Sequence, residues 1–184
     1  MAVELLTLGH GVAAADALAA LMRRAGVTSL VDVRTVPKSR RLPHVWRDEM
    51  ERWVPDLAGS RYRWEPALGG FRKAHPDSAN VALRNEAFRG YADYMETPPF
   101  RAALDALMRD AAEERTAILC SESLWWRCHR RLIADAAVLL FGAAVRHVMH
   151  DGSLVVHPLT AGVRLTEEGA LRYDVSDARP YSPA

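Results

Sequence analysis

Cysteine is scarce in this chain, where Cys120 and Cys128 are the only two among 184 residues. Two thiols are too few for the disulfide framework of a small secreted protein, and a reducing compartment would keep both free. The sequence also lacks an apolar stretch long enough to cross a bilayer. Its first residues lack the basic region that precedes the apolar core of a signal peptide. We therefore expect a cytoplasmic protein that does not span a membrane.

An excess of charge is missing as well, because 24 Lys and Arg residues against 23 Asp and Glu residues give a net charge of +1. This balance excludes a global field strong enough to hold a polyanion. Lysine is nearly absent, with Lys38 and Lys73 as its two occurrences. A GC-rich genome favours the arginines that take its place, although each arginine also offers a planar fork suited to phosphates and carboxylates.

The sequence does contain apolar strand patterns that alternate with amphipathic helical patterns. Strands are predicted at 3–8, 29–33, 62–64, 116–120 and 144–149, and helices at 12–24, 48–57, 85–95, 99–112 and 132–140. Continuous apolar runs favour strands that are covered on both faces. The order predicts an α/β fold, a three-layer α/β/α sandwich with a mainly parallel sheet whose last strand is 144–149. Residues 1–157 are expected to form this domain, and residues 158–184 a C-terminal extension that is loosely ordered or a short hairpin.

Residues able to bind anions or to transfer protons follow four of the predicted strands. They are Gly9 and His10, Asp32 and Arg34, Gly70 and Arg72, and Cys120 and Glu122. Ligands of open parallel sheets bind outside the carboxyl ends of the strands. We therefore expect these residues to meet at one edge of the sheet.

Each of these stretches has a structural and a functional interpretation. The Gly9-His10-Gly11 turn precedes a helix, so its N–H groups either receive an anion or only close a turn. Asp32 and Arg34 form an ion pair or an acid–base group held by its neighbour. The loop 34–47 holds five Lys and Arg residues, Arg40 among them, and is either a solvated face or a phosphate clamp. Three further residues are assigned to the core or to a pocket wall: Tyr91, Tyr94 and Trp126.

The segment CSESLWWRCHRR, residues 120–131, admits three chemistries. Cys120 or Cys128 could be a nucleophile, since a thiolate is stabilised at a strand end or a helix start. A metal could bind Cys120, Cys128, His129 and His10, but the segment lacks a Cys-x-x-Cys pair, and we expect no metal. The interpretation that we favour gives Glu122 the acid–base role, with His129 and Arg130 holding an anion and the cysteines forming the pocket floor.

Five motifs, in order, are similar to the family called Domain of Unknown Function 488. The resemblance runs from residue 7 to about residue 140, and Gly11 stands where the family pattern usually has serine. It implies an α/β fold and marks the motif residues as the site, but it implies no reaction. The motifs are Thr7-Leu8-Gly9-His10-Gly11, Asp32-Val33-Arg34 with Pro37 and Ser39, Leu68-Gly69-Gly70-Phe71-Arg72, Tyr91-Ala92-Asp93-Tyr94-Met95, and Cys120-Ser121-Glu122 with Cys128-His129-Arg130.

The leading hypothesis is an enzyme that acts on a phosphate-bearing ligand, either a nucleotide or a nucleic acid, without a cofactor. It predicts anion contacts from Gly9, Arg34, Arg40, Gly70, Arg72 and Arg130, and proton transfer by Asp32, Glu122 and His10. Two alternatives stay open. One is a non-catalytic nucleic-acid-binding module, and the other is thiol chemistry of a rhodanese-like layout at Cys120 or Cys128. The sequence does not predict an oligomeric state.

Overall fold

The computed structural model describes residues 3–175, and its centre is a six-stranded sheet. Five strands are parallel in the order β3-β2-β4-β1-β5, and β6 adds an antiparallel edge next to β5. The predicted α/β fold with a mainly parallel sheet is confirmed. The strands are β1 (Glu4–Gly9), β2 (Ser29–Asp32), β3 (Arg61–Trp64), β4 (Thr116–Cys120), β5 (Ala144–Val148) and β6 (Leu154–Val156).

Helices cover both faces of this sheet and make it the middle of three layers. Successive side chains of a strand point to opposite faces. Leu5 of β1 therefore packs with residues of α3, α4 and α5, whereas Leu6 and Leu8 pack with residues of α1 and α2. The helices are α1 (Ala15–Arg24), α2 (Arg47–Trp53), α3 (Glu86–Tyr94), α4 (Pro98–Glu113) and α5 (Arg130–Phe141). Short 3-10 turns lie at Pro43–Val45, Pro66–Leu68 and Trp125–Arg127, and a π-helical turn at Val54–Ala58.

Two sequence-based boundaries need correction. The prediction that 144–149 is the last strand of the sheet was wrong, because β6 follows through a turn at Gly152 with φ of 83°. An antiparallel edge strand needs no crossover helix, so it leaves no strand–helix alternation in the sequence. The helix predicted at 48–57 gives way at Val54 to the π-helical turn. Pro55 has no N–H to continue the α-helical ladder.

The chain after β6 forms a hairpin of β7 (Val163–Leu165) and β8 (Leu171–Tyr173). Tyr173 is fully buried against the domain, and its hydroxyl donates to Asp135 of α5 at 2.9 Å. Residues 176–184 of the predicted extension lie outside the described residues. Within residues 3–175, no helix combines the length and the apolar character needed to span a bilayer.

The long connection between β3 and α3 is anchored on Asp93. This carboxylate accepts hydrogen bonds from the His75 N–H at 2.8 Å, the Ser78 hydroxyl at 2.7 Å and the Asn80 amide at 2.8 Å. Partial burial alone would raise the pKa of Asp93, but these three donors outweigh it and lower the pKa below its usual value. The loop that carries Gly70 and Arg72 is thus followed by an ordered segment.

Candidate functional site

The carboxyl ends of β1, β2 and β4 lie side by side in the middle of the sheet. Gly9 is paired with Cys120, and Asp32 is paired with Leu119, so the strands end at the same level. This register brings the turns after three strands to one edge. The groups at that edge fall into two separate arrangements, one of thiols and one of charged side chains.

The first arrangement is a cysteine–histidine cluster made of Cys120, Cys128 and His129. Nδ1 of His129 lies 3.7 Å from Sγ of Cys120 and 3.8 Å from Sγ of Cys128. The three donor atoms all lie within 4.8 Å of one another. Both thiols are free and buried, with exposed fractions of 7% and 4%. Cys120 and Cys128, eight positions apart in the sequence, therefore both contact Nδ1 of His129.

The orientation of the His129 ring is fixed from its other side. Nε2 lies 3.1 Å from the carbonyl oxygen of Val33, which can only accept, so Nε2 carries a proton. In the neutral ring, the lone pair of Nδ1 then faces the two sulfur atoms. The Tyr91 ring meets the imidazole edge-on at 4.9 Å between centroids. A Cβ atom at Gly70 would lie 2.5 Å from Nδ1, so the absence of a side chain there leaves room for the ring.

The two thiols of the cluster have opposite electrostatic environments. A hydrogen bond from Cys128 lowers the pKa of Cys120 well below the usual thiol value, and His129 and Arg130 lower it further against the effect of burial. Burial raises the pKa of Cys128 well above that value, and the neighbouring Cys120 sulfur adds to the increase. The arrangement therefore favours a thiolate at Cys120 and a thiol at Cys128.

Arg130 supplies a buried positive charge beside the cluster, with 1% of its surface exposed. Its Nη1 donates to the backbone oxygen of Glu122, and its Nη2 donates to the backbone oxygen of Ser123 at 2.9 Å. These bonds hold the loop that joins the two cysteines. A Cβ atom at Gly9 would lie 2.0 Å from the same Glu122 oxygen. Gly9 therefore permits close packing of this loop on β1.

The second arrangement is a buried ion pair between Asp32 and Arg34. Nε and Nη2 of Arg34 donate to the two carboxylate oxygens at 2.8 and 2.5 Å. The guanidinium also donates to the carbonyl oxygen of Val45 at 2.8 Å, and Tyr62 donates its hydroxyl to Asp32 at 2.7 Å. Asp32 is fully buried and Arg34 nearly so. This is the geometry of a structural ion pair, because the carboxylate and the guanidinium form their hydrogen bonds with other groups of the protein.

His10 belongs to the same charged arrangement. Its Nδ1 lies 2.9 Å from the carbonyl oxygen of Gly11, and its Nε2 lies 3.2 Å from Nη1 of Arg34. Burial, and next the charge of Arg34, lower the pKa of His10. The backbone N–H groups of His10 and Gly11 donate to Cys120 and Ser121 at 2.9 Å each. These two N–H groups therefore join the β1 and β4 turns.

The remaining predicted residues lie around these two arrangements. The Arg72 guanidinium lies over the Tyr94 ring at 3.7 Å, and the Tyr94 hydroxyl donates to the Ala67 carbonyl at 2.8 Å. Arg40 is exposed on the loop after β2. Glu122 is half-buried and accepts a long hydrogen bond of 3.4 Å from a backbone N–H of its own loop. The structure thus brings His129 and both cysteines together and leaves Arg40 on the outer surface.

The sequence-based reasoning missed a buried chain of hydrogen bonds near Arg130. The Thr7 hydroxyl is hydrogen-bonded to Nδ1 of His147 at 2.7 Å. Nε2 of His147 is hydrogen-bonded to Nδ1 of His157 at 3.0 Å, and Nε2 of His157 to a carboxylate oxygen of Asp135 at 2.9 Å. Tyr173 donates to the second Asp135 oxygen. Burial, with the charges of His157 and Arg130, lowers the pKa of His147 to about 2. The signal in the sequence was Asp135, a carboxylate within the apolar run of α5.

A cavity of about 530 Å³ lies beside this chain. Its walls include Trp125, Trp126, Phe88, Arg131 and Thr160. Trp125 also stacks on His147 at 4.1 Å between ring centroids. The predicted pocket-wall residue Trp126 therefore faces a different region from Tyr91 and Cys128, which lie at the cysteine–histidine cluster.

Comparison with known proteins gives one family. A family model described as "Domain of unknown function DUF488" matches residues 14–137. The matched region includes the cysteine–histidine cluster and the Asp32–Arg34 ion pair, but not the turn around His10. The search of curated proteins gave no match, and neither did the search of solved structures.

Proposed function

Because the chain belongs to the family described as Domain of unknown function DUF488, a description that names no reaction, we propose a function from its own cysteine–histidine cluster. The protein is a thiol-dependent enzyme in which Cys120 is the nucleophile and His129 accepts and returns its proton. One observation carries this proposal. The Nδ1 lone pair of His129 faces both sulfur atoms, because the Val33 carbonyl holds the proton of the ring on Nε2.

The surroundings of the cluster fit this role. A nucleophilic thiol needs a base within reach and a third group that orients the base. Here the base lies 3.7 Å from Cys120, and the orienting group is a backbone carbonyl. The Arg130 guanidinium adds a fixed positive charge that stabilises negative charge on sulfur. The substrate class is a soft electrophile: the Cys120 thiolate forms a bond to its sulfur or carbon, the bond from that atom to the leaving group breaks, and the leaving group takes the proton that His129 returns.

The hypothesis of a phosphate-bearing ligand stays a prediction with less geometric support. It relied on Arg34, Arg40, Arg72 and Arg130 as anion clamps, and two of these, Arg34 and Arg130, donate to groups of the protein itself. Of its three acid–base candidates, Asp32 and His10 are bound to Arg34, whereas Glu122 accepts one long hydrogen bond within its own loop. The hypothesis of a nucleic-acid-binding module also stays a prediction and relies on the exposed loop that carries Arg40.

The proposal is tested by the rate at which Cys120 reacts with iodoacetamide at one fixed pH, followed by peptide mass spectrometry. We expect Cys120 in the folded protein to react about tenfold faster than in the urea-unfolded chain. His129→Asn should remove this advantage. His75→Asn, the same change at an exposed histidine, should not. A folded-state rate at or below the unfolded rate would contradict the proposal.

A further inference from the structure

We infer that Cys120, Cys128 and His129 form a binding site for one soft divalent cation of the zinc class. The inference uses the same side chains as the proposed function, but it concerns what occupies them when no electrophile is bound. Its basis is the convergence of three donor atoms of the types that zinc prefers, two sulfurs and one imidazole nitrogen.

The distances between the donors agree with coordination of a common centre. Zinc lies about 2.3 Å from thiolate sulfur and about 2.0–2.1 Å from imidazole nitrogen, in tetrahedral geometry. A sulfur and a nitrogen bound to the same ion are therefore about 3.6 Å apart. The corresponding separations here are 3.7 Å for Cys120 and 3.8 Å for Cys128.

The orientation of His129 gives a second, independent argument. Histidines that bind metals usually donate their other N–H to a carbonyl or carboxylate, which fixes the tautomer and aims the lone pair. His129 makes this contact through Nε2 and the Val33 carbonyl. The lack of a side chain at Gly70 leaves room for the ring in this orientation. The imidazole is thus prepared to coordinate through Nδ1 before any ion arrives.

The composition of the site determines its chemistry. Thiols bind as thiolates, so each thiol that is protonated releases its proton to solvent when the ion binds. Two thiolates balance the charge of a divalent cation. Among residues 3–175, no fourth His, Cys, Asp or Glu joins the group. A water molecule or a ligand would complete the coordination, as in zinc sites that keep an open position. The bound ion occupies the Cys120 sulfur and protects it from electrophiles.

The experiment uses Zn²⁺ alone, titrated into the full chain against a chromophoric chelator, with Co²⁺ as a spectroscopic probe. We expect one ion to bind per chain. With Co²⁺, the complex should show an intense thiolate-to-metal charge-transfer absorption band in the near ultraviolet. Cys120→Ser, Cys128→Ser and His129→Asn should each weaken binding by about 100-fold or more, because each removes one ligand. His75→Asn should bind like the wild type. Circular dichroism establishes that each variant is folded.

Several results would overturn the inference: no binding, binding of more than one ion at equal affinity, or an unchanged affinity in Cys128→Ser. The outcome is separable from that of the proposed function. Fast alkylation of Cys120 without Zn²⁺ binding leaves the thiol enzyme and removes the metal site. Stoichiometric Zn²⁺ binding, with a metal-free Cys120 that reacts no faster than in the unfolded chain, does the reverse. If both hold, Zn²⁺ should slow alkylation of Cys120 in proportion to its occupancy.

Discussion

Gly70→Ala should damage the cluster without touching any of its functional atoms. The added Cβ would lie 2.5 Å from Nδ1 of His129, 2.7 Å from its Cγ and 3.0 Å from its Cε1. An ordinary van der Waals contact is about 3.5–4.0 Å, so the ring must move by about 1 Å. Tyr91 packs on the ring at 4.9 Å between centroids, and the Val33 carbonyl binds its far nitrogen. The movement therefore strains packing or breaks this hydrogen bond.

The cost of that movement can be estimated from its two parts. Overpacking a filled core costs about 1–3 kcal/mol, and losing the hydrogen bond to Val33 costs about 1 kcal/mol. We expect the free energy of unfolding to fall by about 2–4 kcal/mol, measured by urea denaturation. Displacement of Nδ1 from the two sulfurs should also slow iodoacetamide labelling of Cys120 about tenfold. By the same displacement, Zn²⁺ affinity should fall by about 10- to 100-fold.

Gly59→Ala is the matched control for this substitution. Gly59 has a φ of 67°, and a Cβ there would meet no atom within 4 Å. The same added methyl group should cost about 1–2 kcal/mol of backbone strain and leave Cys120 labelling and Zn²⁺ binding as in the wild type. If Gly70→Ala loses stability but labels and binds like this control, the ring is not held where the sulfurs need it, and our reasoning about Gly70 is wrong.

Three further predictions concern the buried polar groups. Arg34→Met should lower the free energy of unfolding by about 3–5 kcal/mol, because it leaves the Asp32 carboxylate buried without its partner; a loss below about 1 kcal/mol in urea denaturation would show that the pair is not structural. Tyr173→Phe should cost about 1–2 kcal/mol, since Asp135 loses one of its donors, and an unchanged thermal midpoint would argue against that contact. Because the folded-state pKa of Asp93 is lowered, its contribution to stability is present above the ordinary carboxyl pKa of about 4 and is lost as the pH falls through the folded value. Asp93→Asn should therefore be less stable at pH 7 and lose less stability on acidification, and parallel curves for the two proteins would refute this.

The layers and the edge that carries the site could be predicted from the sequence. Apolar runs such as 29–33 and 116–120 mark strands covered on both faces, and parallel strands bring their carboxyl ends to one edge. The antiparallel β6 could not be predicted in this way, since a short strand after a tight turn has neither the length nor the alternation of the others. Pro55 indicated in the sequence that the α-helix could end nearby, but where α2 ends also depends on the path that the chain takes after the helix.

The chemistry at the edge was harder to predict than its position. Arg34 is a residue type that commonly binds anions. Only the fold shows that its guanidinium N–H groups are directed at Val45 and His10 of the protein itself. Cys120 and Cys128 are too far apart in sequence for a recognised metal motif. The 3-10 turn at Trp125–Arg127 folds the chain back so that both sulfurs reach one imidazole. Such proximity is a property of the backbone path and leaves no trace in residue spacing.

The place of β1 in the sheet has a consequence for how the chain acquires its structure. Leu5 pairs with Thr116 on one side and with Val145 on the other. During synthesis, β1 must therefore wait for β4 (Thr116–Cys120) before its first partner is available, and for β5 (Ala144–Val148) before its second. Such long-range pairing slows folding and leaves apolar surface exposed meanwhile. We expect nascent chains that end before β4 to need chaperones, and the site at the ends of β1 and β4 to be among the last parts to form.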